Sequence, residues 1–454
     1  IFYSIIFLIF FSFFCIHGKN NFLMGDAQTY WESAKNYIDS QGFAFENFDF
    51  PVRGYLFPFI LFIIQRIGNF LNIDSTYIFW VVMSMFYTLL ISLIIPHLIE
   101  KIFKIKIKNY VLFVITLLFG AMYLFEGLIV YCLSDLPALT LFLISIYFSL
   151  NVIDSQKGKK VLLYSLLSGI FMAATYYFRP AYSLTLYLML LAYILILVIN
   201  KNIFSFMKIL FFVLGLYLIA IPQFIINNKN YQITSPTIQT QLFYKGEDLG
   251  IKQLMWGIQL QKYETNINLD TWPTYQVYFR DLTGEKLLTE SNINGFDSYL
   301  DYFKFVLSHP IDISMIYLKH IFNGLDITYN EVYIQDIYSN RFFIQIFNYT
   351  MIFWGLFTGI KLCKRRGIKD KSILTIYALI LSTVVLAIPT AVEPRFFIPI
   401  HMLLLACFAL FVSNFKDYMR ESLNSKVLLT YVIFIIICFL LNKSTFDVLQ
   451  IPVW

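Results

Sequence analysis

The sequence predicts an all-α polytopic membrane protein with about eleven membrane-crossing helices, juxtamembrane helices in a first external loop and a small external cap. Three observations predict it. Hydrophobic residues make up 59% of the chain and charged residues only 14%, with a mean hydropathy of +0.68, outside the proportions of a soluble protein. The apolar residues fall into runs of about 17 to 22 without alternation, the length a helix needs to cross the hydrocarbon. Backbone groups find no water there, so a run that does not alternate as a barrel strand would must close its hydrogen bonds within a helix.

The first run, residues 1 to 16, reads as a transmembrane helix missing its cytoplasmic beginning, with a signal peptide as the open alternative. The loop after it contains GDAQTYWESAKNYIDSQGF. Asp26, Tyr30, Ser33 and Tyr37 recur there at helical spacing on one face, beside a more apolar face of Ala27, Trp31, Ala34 and Ile38. That pattern predicts a helix lying on the membrane. The apolar run 54 to 70 follows. Counted as a full span it would turn the loop holding Lys101, Lys104, Lys106 and Lys108 outward, against the bias of cationic residues toward the cytoplasm. It therefore reads as a juxtamembrane or re-entrant helix.

Further spans are expected at 76 to 99, 109 to 125, 133 to 151, 161 to 178, 181 to 199 and 208 to 226, then at 343 to 362, 372 to 390, 395 to 413 and 427 to 442. With this count every basic loop faces the cytoplasm, including the cluster Lys361, Lys364, Arg365, Arg366, Lys369 and Lys371. The loop from His17 to Arg53 and the segment 227 to 341 both fall outside. The latter mixes aromatic and polar residues and is too long for a connector, which predicts a small, mostly helical cap. The expected organisation is an N-terminal transmembrane module at 1 to 226 with its first external loop at 17 to 75, the cap at 227 to 342, and C-terminal helices at 343 to 454.

The five cysteines and five histidines are scattered singly, with no CxxC, so neither a disulfide framework nor a thiolate or histidine metal centre follows. No GxGxxG or Walker sequence is present, which points away from a nucleotide-driven pump or a dinucleotide enzyme. The charges at helix boundaries are more telling. Asp26, Glu126, Asp135, Arg179, Glu393 and Arg395 all stand at the expected outer ends of helices. A charge at mid-bilayer costs about 2.5 to 3.5 kcal/mol on insertion scales, so such groups gather at interfaces or in polar cavities and pair. Asp26 and Asp135 also suit helix starts as caps, and each arginine suits an interfacial anchor.

The order of these motifs resembles the GT-C glycosyltransferase superfamily, in particular its protein-mannosyltransferase-like and aminoarabinose-transferase-like branch. The residues are Gly25, Asp26, Ala27 and Tyr30; Arg53 and Pro58; Ser134, Asp135, Ala138 and Leu139; Phe178, Arg179 and Pro180; and Glu393, Arg395, Phe396 and Pro399. The resemblance implies an inverting glycosyltransferase of the prokaryotic cytoplasmic (inner) membrane, working on the extracytoplasmic face. It would move a sugar from a polyprenyl-phosphate donor to a glycan, lipid or protein acceptor, with no nucleic-acid partner. Displacement at the anomeric carbon needs a base for the acceptor hydroxyl and cations for the departing phosphate.

By resemblance Asp26 is the catalytic carboxylate and Asp135 the second acid. Arg179, Arg395 and Arg53 are candidates for the donor phosphate, since a guanidinium fork grips phosphate oxygens in two places. Tyr30, Glu126 and Glu393 would support them. Where the family often carries adjacent acids, this chain has Asp26 followed by Ala27, and it has no DxD. No cofactor and no tightly held metal are therefore expected, with a loosely bound divalent ion left open. Two other readings remain: a polyprenyl-linked glycan transporter or flippase, and a surface-polysaccharide polymerase or ligase.

Overall fold

The computed structural model describes residues 2–17, 23–39, 42–105, 131–154, 158–242, 248–266, 275–329, 332–334, 336–366 and 371–450, with single positions between 108 and 128. Helices dominate. Among the described residues, eight are long and apolar enough to cross a membrane: Ser75–Phe103, Asp135–Ile153, Lys159–Phe178, Pro180–Ile199, Ile203–Tyr231, Phe342–Arg365, Pro394–Ser413 and Ser425–Phe446. Shorter apolar helices occupy Tyr3–Ile16 and Leu56–Leu71. The protein is thus a multi-pass membrane protein. The expected span 109 to 125 lies outside the described residues except at isolated positions. The run 372 to 390 forms a helix only over Lys371–Val385, closing in a turn ahead of Pro389, which disfavours helix in the residue before it.

The chain divides into two compact units, residues 1–107, 128–243 and 368–382 in one, and 108–127, 244–367 and 383–454 in the other. In the first unit, helix Phe2–His17 packs on Ser75–Leu89 by stacking Phe14 against Trp80 and Tyr87. The long helix that follows passes through a π turn at Leu90–Ile94 just before Pro96. A wider turn there accommodates a residue that has no N–H to offer.

Helices Lys159–Phe178 and Ile203–Tyr231 cross in backbone contact. A Cβ on Gly169 would lie 2.1 Å from the Phe212 carbonyl oxygen, and one on Gly215 2.2 Å from that of Leu166. Polar pairs join helix Asp135–Asp154 to Lys159–Phe178, since lipid supplies no hydrophobic drive between helices. Ser149 Oγ meets Ser168 Oγ at 2.7 Å, and Ser145 Oγ donates to the Ser168 carbonyl at 2.8 Å.

In the second unit, helix Phe342–Arg366 packs between Ile398–Ser413 and Ser425–Phe446. Trp354 stacks on Phe411 at 4.6 Å, and Thr350 Oγ1 meets Tyr431 Oη at 2.8 Å. The segment expected to form a cap holds helices Leu249–Gln259, Leu282–Glu290, Tyr299–Ser308 and Pro310–Leu325 around a core that includes Ile258, Leu288, Tyr302 and Ile316. Asp248, Asp281 and Ser298 cap the first three by accepting from backbone N–H groups.

Three of its strands join one from beyond the last long helix in a four-stranded sheet, ordered Tyr333–Ile334, Leu260–Asn266, Tyr275–Arg280, Leu449–Gln450. The central pair is antiparallel with Tyr263 opposite Tyr278, Thr265 lies parallel to Tyr333, and Phe279 faces Leu449. Hydropathy does not announce these strands. In LQKYETN the alternate positions carry Lys262 and Glu264 against Tyr263 and Thr265, so neither face reads as apolar.

Candidate functional site

The first unit builds its polar centre on a short turn, Pro51 to Tyr55. Tyr37, Phe48, Tyr55, Ala173, Tyr177, Ile226 and Ile238 form the buried cluster beneath it. Tyr37 Oη donates to the Tyr55 carbonyl at 2.5 Å, and burial raises the Tyr37 phenol well above its ordinary pKa, so it stays a donor. Tyr55 N–H donates to Gln223 Oε1 at 3.2 Å, and Gln239 N–H to the Pro51 carbonyl at 2.9 Å. Gly54 closes the arrangement, because a Cβ there would lie 2.1 Å from the Tyr177 carbonyl oxygen. That contact brings the residue after Arg53 against the turn of helix that leads into Arg179.

Asp26 opens helix Asp26–Ser33, whose cap position is Gly25 and carries no side-chain cap bond. The carboxylate is turned instead to Arg53, Nη2 to Oδ1 at 2.8 Å, with both side chains about a third exposed, 27% for Arg53 and 32% for Asp26. One helical turn later Tyr30, 3% exposed, accepts from Arg53 Nη1 at 3.1 Å and from Ser134 Oγ at 3.2 Å. The same guanidinium stands over the Tyr30 ring, 4.9 Å from its centroid. Two donors fill both lone-pair directions of the Tyr30 oxygen, so its own proton points elsewhere.

Ser134 leads directly into Asp135, the first residue of helix Asp135–Asp154. Its carboxylate is almost sealed, at 2% exposed, and meets Arg179 Nη1 at 2.6 Å, the arginine side chain being 17% exposed. Asp135 Oδ1 has no aligned hydrogen bond, so this is an ion pair by proximity. An acid buried to this degree needs such a partner. Phe57 lies between the two halves of the cluster, edge-on to Tyr30 at 5.1 Å and tilted against Phe178 at 5.3 Å.

Of the expected site residues, the first unit therefore links Asp26, Tyr30 and Arg53, and through Ser134 the neighbouring pair Asp135 and Arg179. Glu126 lies outside the described residues. Arg395 and Glu393 belong to the second unit, where Arg395 Nε meets Glu393 Oε2 at 2.5 Å.

That pair borders a buried polar cluster the sequence reading did not single out. Lys262 Nζ meets Glu264 Oε1 at 3.0 Å and donates to the Asp326 carbonyl at 3.2 Å and to Thr328 Oγ1 at 3.1 Å. The Asp326 carboxylate accepts from Tyr349 Oη at 2.7 Å and from Asn442 Nδ2 at 2.6 Å. Burial, the largest cause, raises the Glu264 pKa against the opposing pull of Lys262. Glu264, Thr328, Tyr329, Glu393 and Arg395 line a cavity of about 20 Å³, room for a single water. The one signal for this cluster in the sequence is the spacing of Lys262 and Glu264 by two, which puts both on one face of a strand.

Among the described residues no three His, Cys, Asp or Glu side chains gather as a metal site requires. No protein-family model matches the chain, and no curated protein matches it in sequence.

Proposed function

We propose that the protein is a membrane glycosyltransferase that moves a sugar from a polyprenyl-phosphate donor to a cell-envelope acceptor on the extracytoplasmic face, with inversion. One observation carries this reading: two acid and arginine pairs, Asp26 with Arg53 and Asp135 with Arg179, joined by Tyr30 and Ser134 within one unit.

The exposures divide the labour. Asp26, about a third exposed, takes the proton of the acceptor hydroxyl as the new glycosidic bond forms and the bond to the donor phosphate breaks. Asp135 is too deeply buried to reach a substrate and serves as a positioning residue that holds Arg179. Arg53 and Arg179 supply N–H donors and positive charge to the departing phosphate. Arg395, in the second unit, is paired with Glu393 and has no role in this reading. The reaction needs no metal in this reading.

The test is sugar transfer by the purified, reconstituted protein from labelled polyprenyl-phosphate sugars to membrane extracts. Asp26→Asn is expected to lower kcat by about 10² to 10⁴, the usual worth of a positioned base. Equal transfer by wild type and Asp26→Asn would remove the assignment. A protein that moves labelled lipid across the bilayer without any transfer would be a flippase instead.

A further inference from the structure

Far from the acid pairs in sequence, the second unit carries an arginine held against aromatic rings. Arg341, just ahead of helix Phe342–Arg366, lays its guanidinium over the Phe446 ring, 3.4 Å from the centroid, with Tyr329 at 5.7 Å. Its Nη1 is buried and has no hydrogen-bond partner. A buried charged donor without an acceptor is costly. The aromatic faces offset part of that cost and fix the plane of the fork.

Arg341 lines a groove of about 470 Å³ together with Ile436, Phe439, Leu440, Lys443 and Phe446. Lys443 is exposed and supplies a second cation, and among the described residues no acidic side chain lines the space. Asn442, also at the groove, is committed to Asp326. The groove runs along helix Ser425–Phe446, the least buried of the apolar helices, with 11% of its apolar window covered. Ile436 and Leu440 are 52% and 62% exposed, so this face looks onto the bilayer. Phe342 and Phe439, stacked at 5.7 Å, mark where the two antiparallel helices meet at this end.

Two cations at the end of a span, above an apolar wall open to lipid, have the charge and shape of a phospholipid's headgroup region. We infer that this groove holds an anionic phospholipid of the surrounding bilayer. Its phosphate bonds to the Arg341 fork and to Lys443, and one acyl chain lies along Ile436 and Leu440. A guanidinium fork fits two phosphate oxygens at once. The polyprenyl-phosphate donor would reach this face by the same route, and the far greater abundance of phospholipid in the bilayer makes a phospholipid the occupant. The inference does not depend on the proposed sugar transfer.

The test is native mass spectrometry of the full chain in mild detergent, with phosphatidylglycerol, phosphatidylcholine, polyprenyl phosphate or inorganic phosphate added, and thermal unfolding as a second readout. Wild type is expected to retain phosphatidylglycerol at least about fivefold better than phosphatidylcholine. Retention falls by about tenfold in Arg341→Gln/Lys443→Gln, equivalent to about 1.4 kcal/mol. Lys443→Gln alone, an exposed change that leaves the fold intact, lowers retention by about threefold and decides the matter should the double variant fail to fold. Equal retention of the two phospholipids, undiminished retention in Lys443→Gln, retention of polyprenyl phosphate alone, or equal stabilisation by inorganic phosphate would each overturn the inference.

Discussion

A carboxyl group closed off from water favours its neutral form, and Glu264 carries that effect into the stability of the second unit. Its pKa in the folded protein lies above its ordinary value of 4.5. The folded state therefore holds a proton that the unfolded state releases above pH 4.5. The stability this supplies is full below that pH and is lost as pH rises through the folded pKa. Thermal unfolding is expected to weaken across that window in wild type and to vary less with pH in Glu264→Gln. Identical pH profiles for the two would show that Glu264 ionises freely.

At this scale the sequence was informative in part. Asp26, Asp135 and Arg179 could be singled out because a charge flanking an apolar run is conspicuous, and Arg53 by the resemblance alone. Their pairing could not, since it depends on a turn whose approach to Tyr177 is set by Gly54. Lys262, Glu264 and Asp326 were hidden, because charges in a polar, aromatic segment stand out from nothing around them.

Elements carry the geometry those residues use. The turn Pro51 to Tyr55 is held from three directions, by Gln223, by the chain at Gln239 and by the Gly54 contact with helix Lys159–Phe178. Gly54→Ala would place a methyl 2.1 Å from a backbone oxygen, which forces the turn away from the helix at a cost of about 1 to 3 kcal/mol. The proposed sugar transfer should fall by at least about tenfold while the protein still reaches the membrane. Unchanged kcat and KM in Gly54→Ala would mean that the position of Arg53 does not matter.

Most of the spans were legible, because an uninterrupted apolar run has one structural outcome in lipid. The reach of the helix in 372 to 390 was not, since hydropathy passes over the turn that Pro389 imposes. The strands in residues 260 to 280 were equally opaque, their alternation being between two mixed faces.

For the molecule as a whole, the distribution of lysine and arginine fixes the orientation expected in the membrane. Residues 249 to 325 should lie on the outer side and the loop around Lys159 on the inner side. In a background with the five native cysteines replaced by serine, Leu282→Cys, at a position 57% exposed, should react in intact cells with a membrane-impermeant maleimide. Lys159→Cys should react only after permeabilisation. The reverse pattern would move the acid and arginine pairs to the cytoplasmic side and rule out an external acceptor.

The sheet of the second unit has a consequence in time. Strand Tyr275–Arg280 receives its outer neighbour only when Leu449–Gln450 has left the ribosome, after the helices Phe342–Arg366, Ile398–Ser413 and Ser425–Phe446 have been synthesised. Through that interval, seconds to tens of seconds at cellular translation rates of about 5 to 20 residues per second, the nascent hairpin presents an open backbone edge. Such an edge can recruit a foreign strand, so a chaperone on the side where residues 260 to 280 emerge would protect this protein during biogenesis and be dispensable once its last strand has docked.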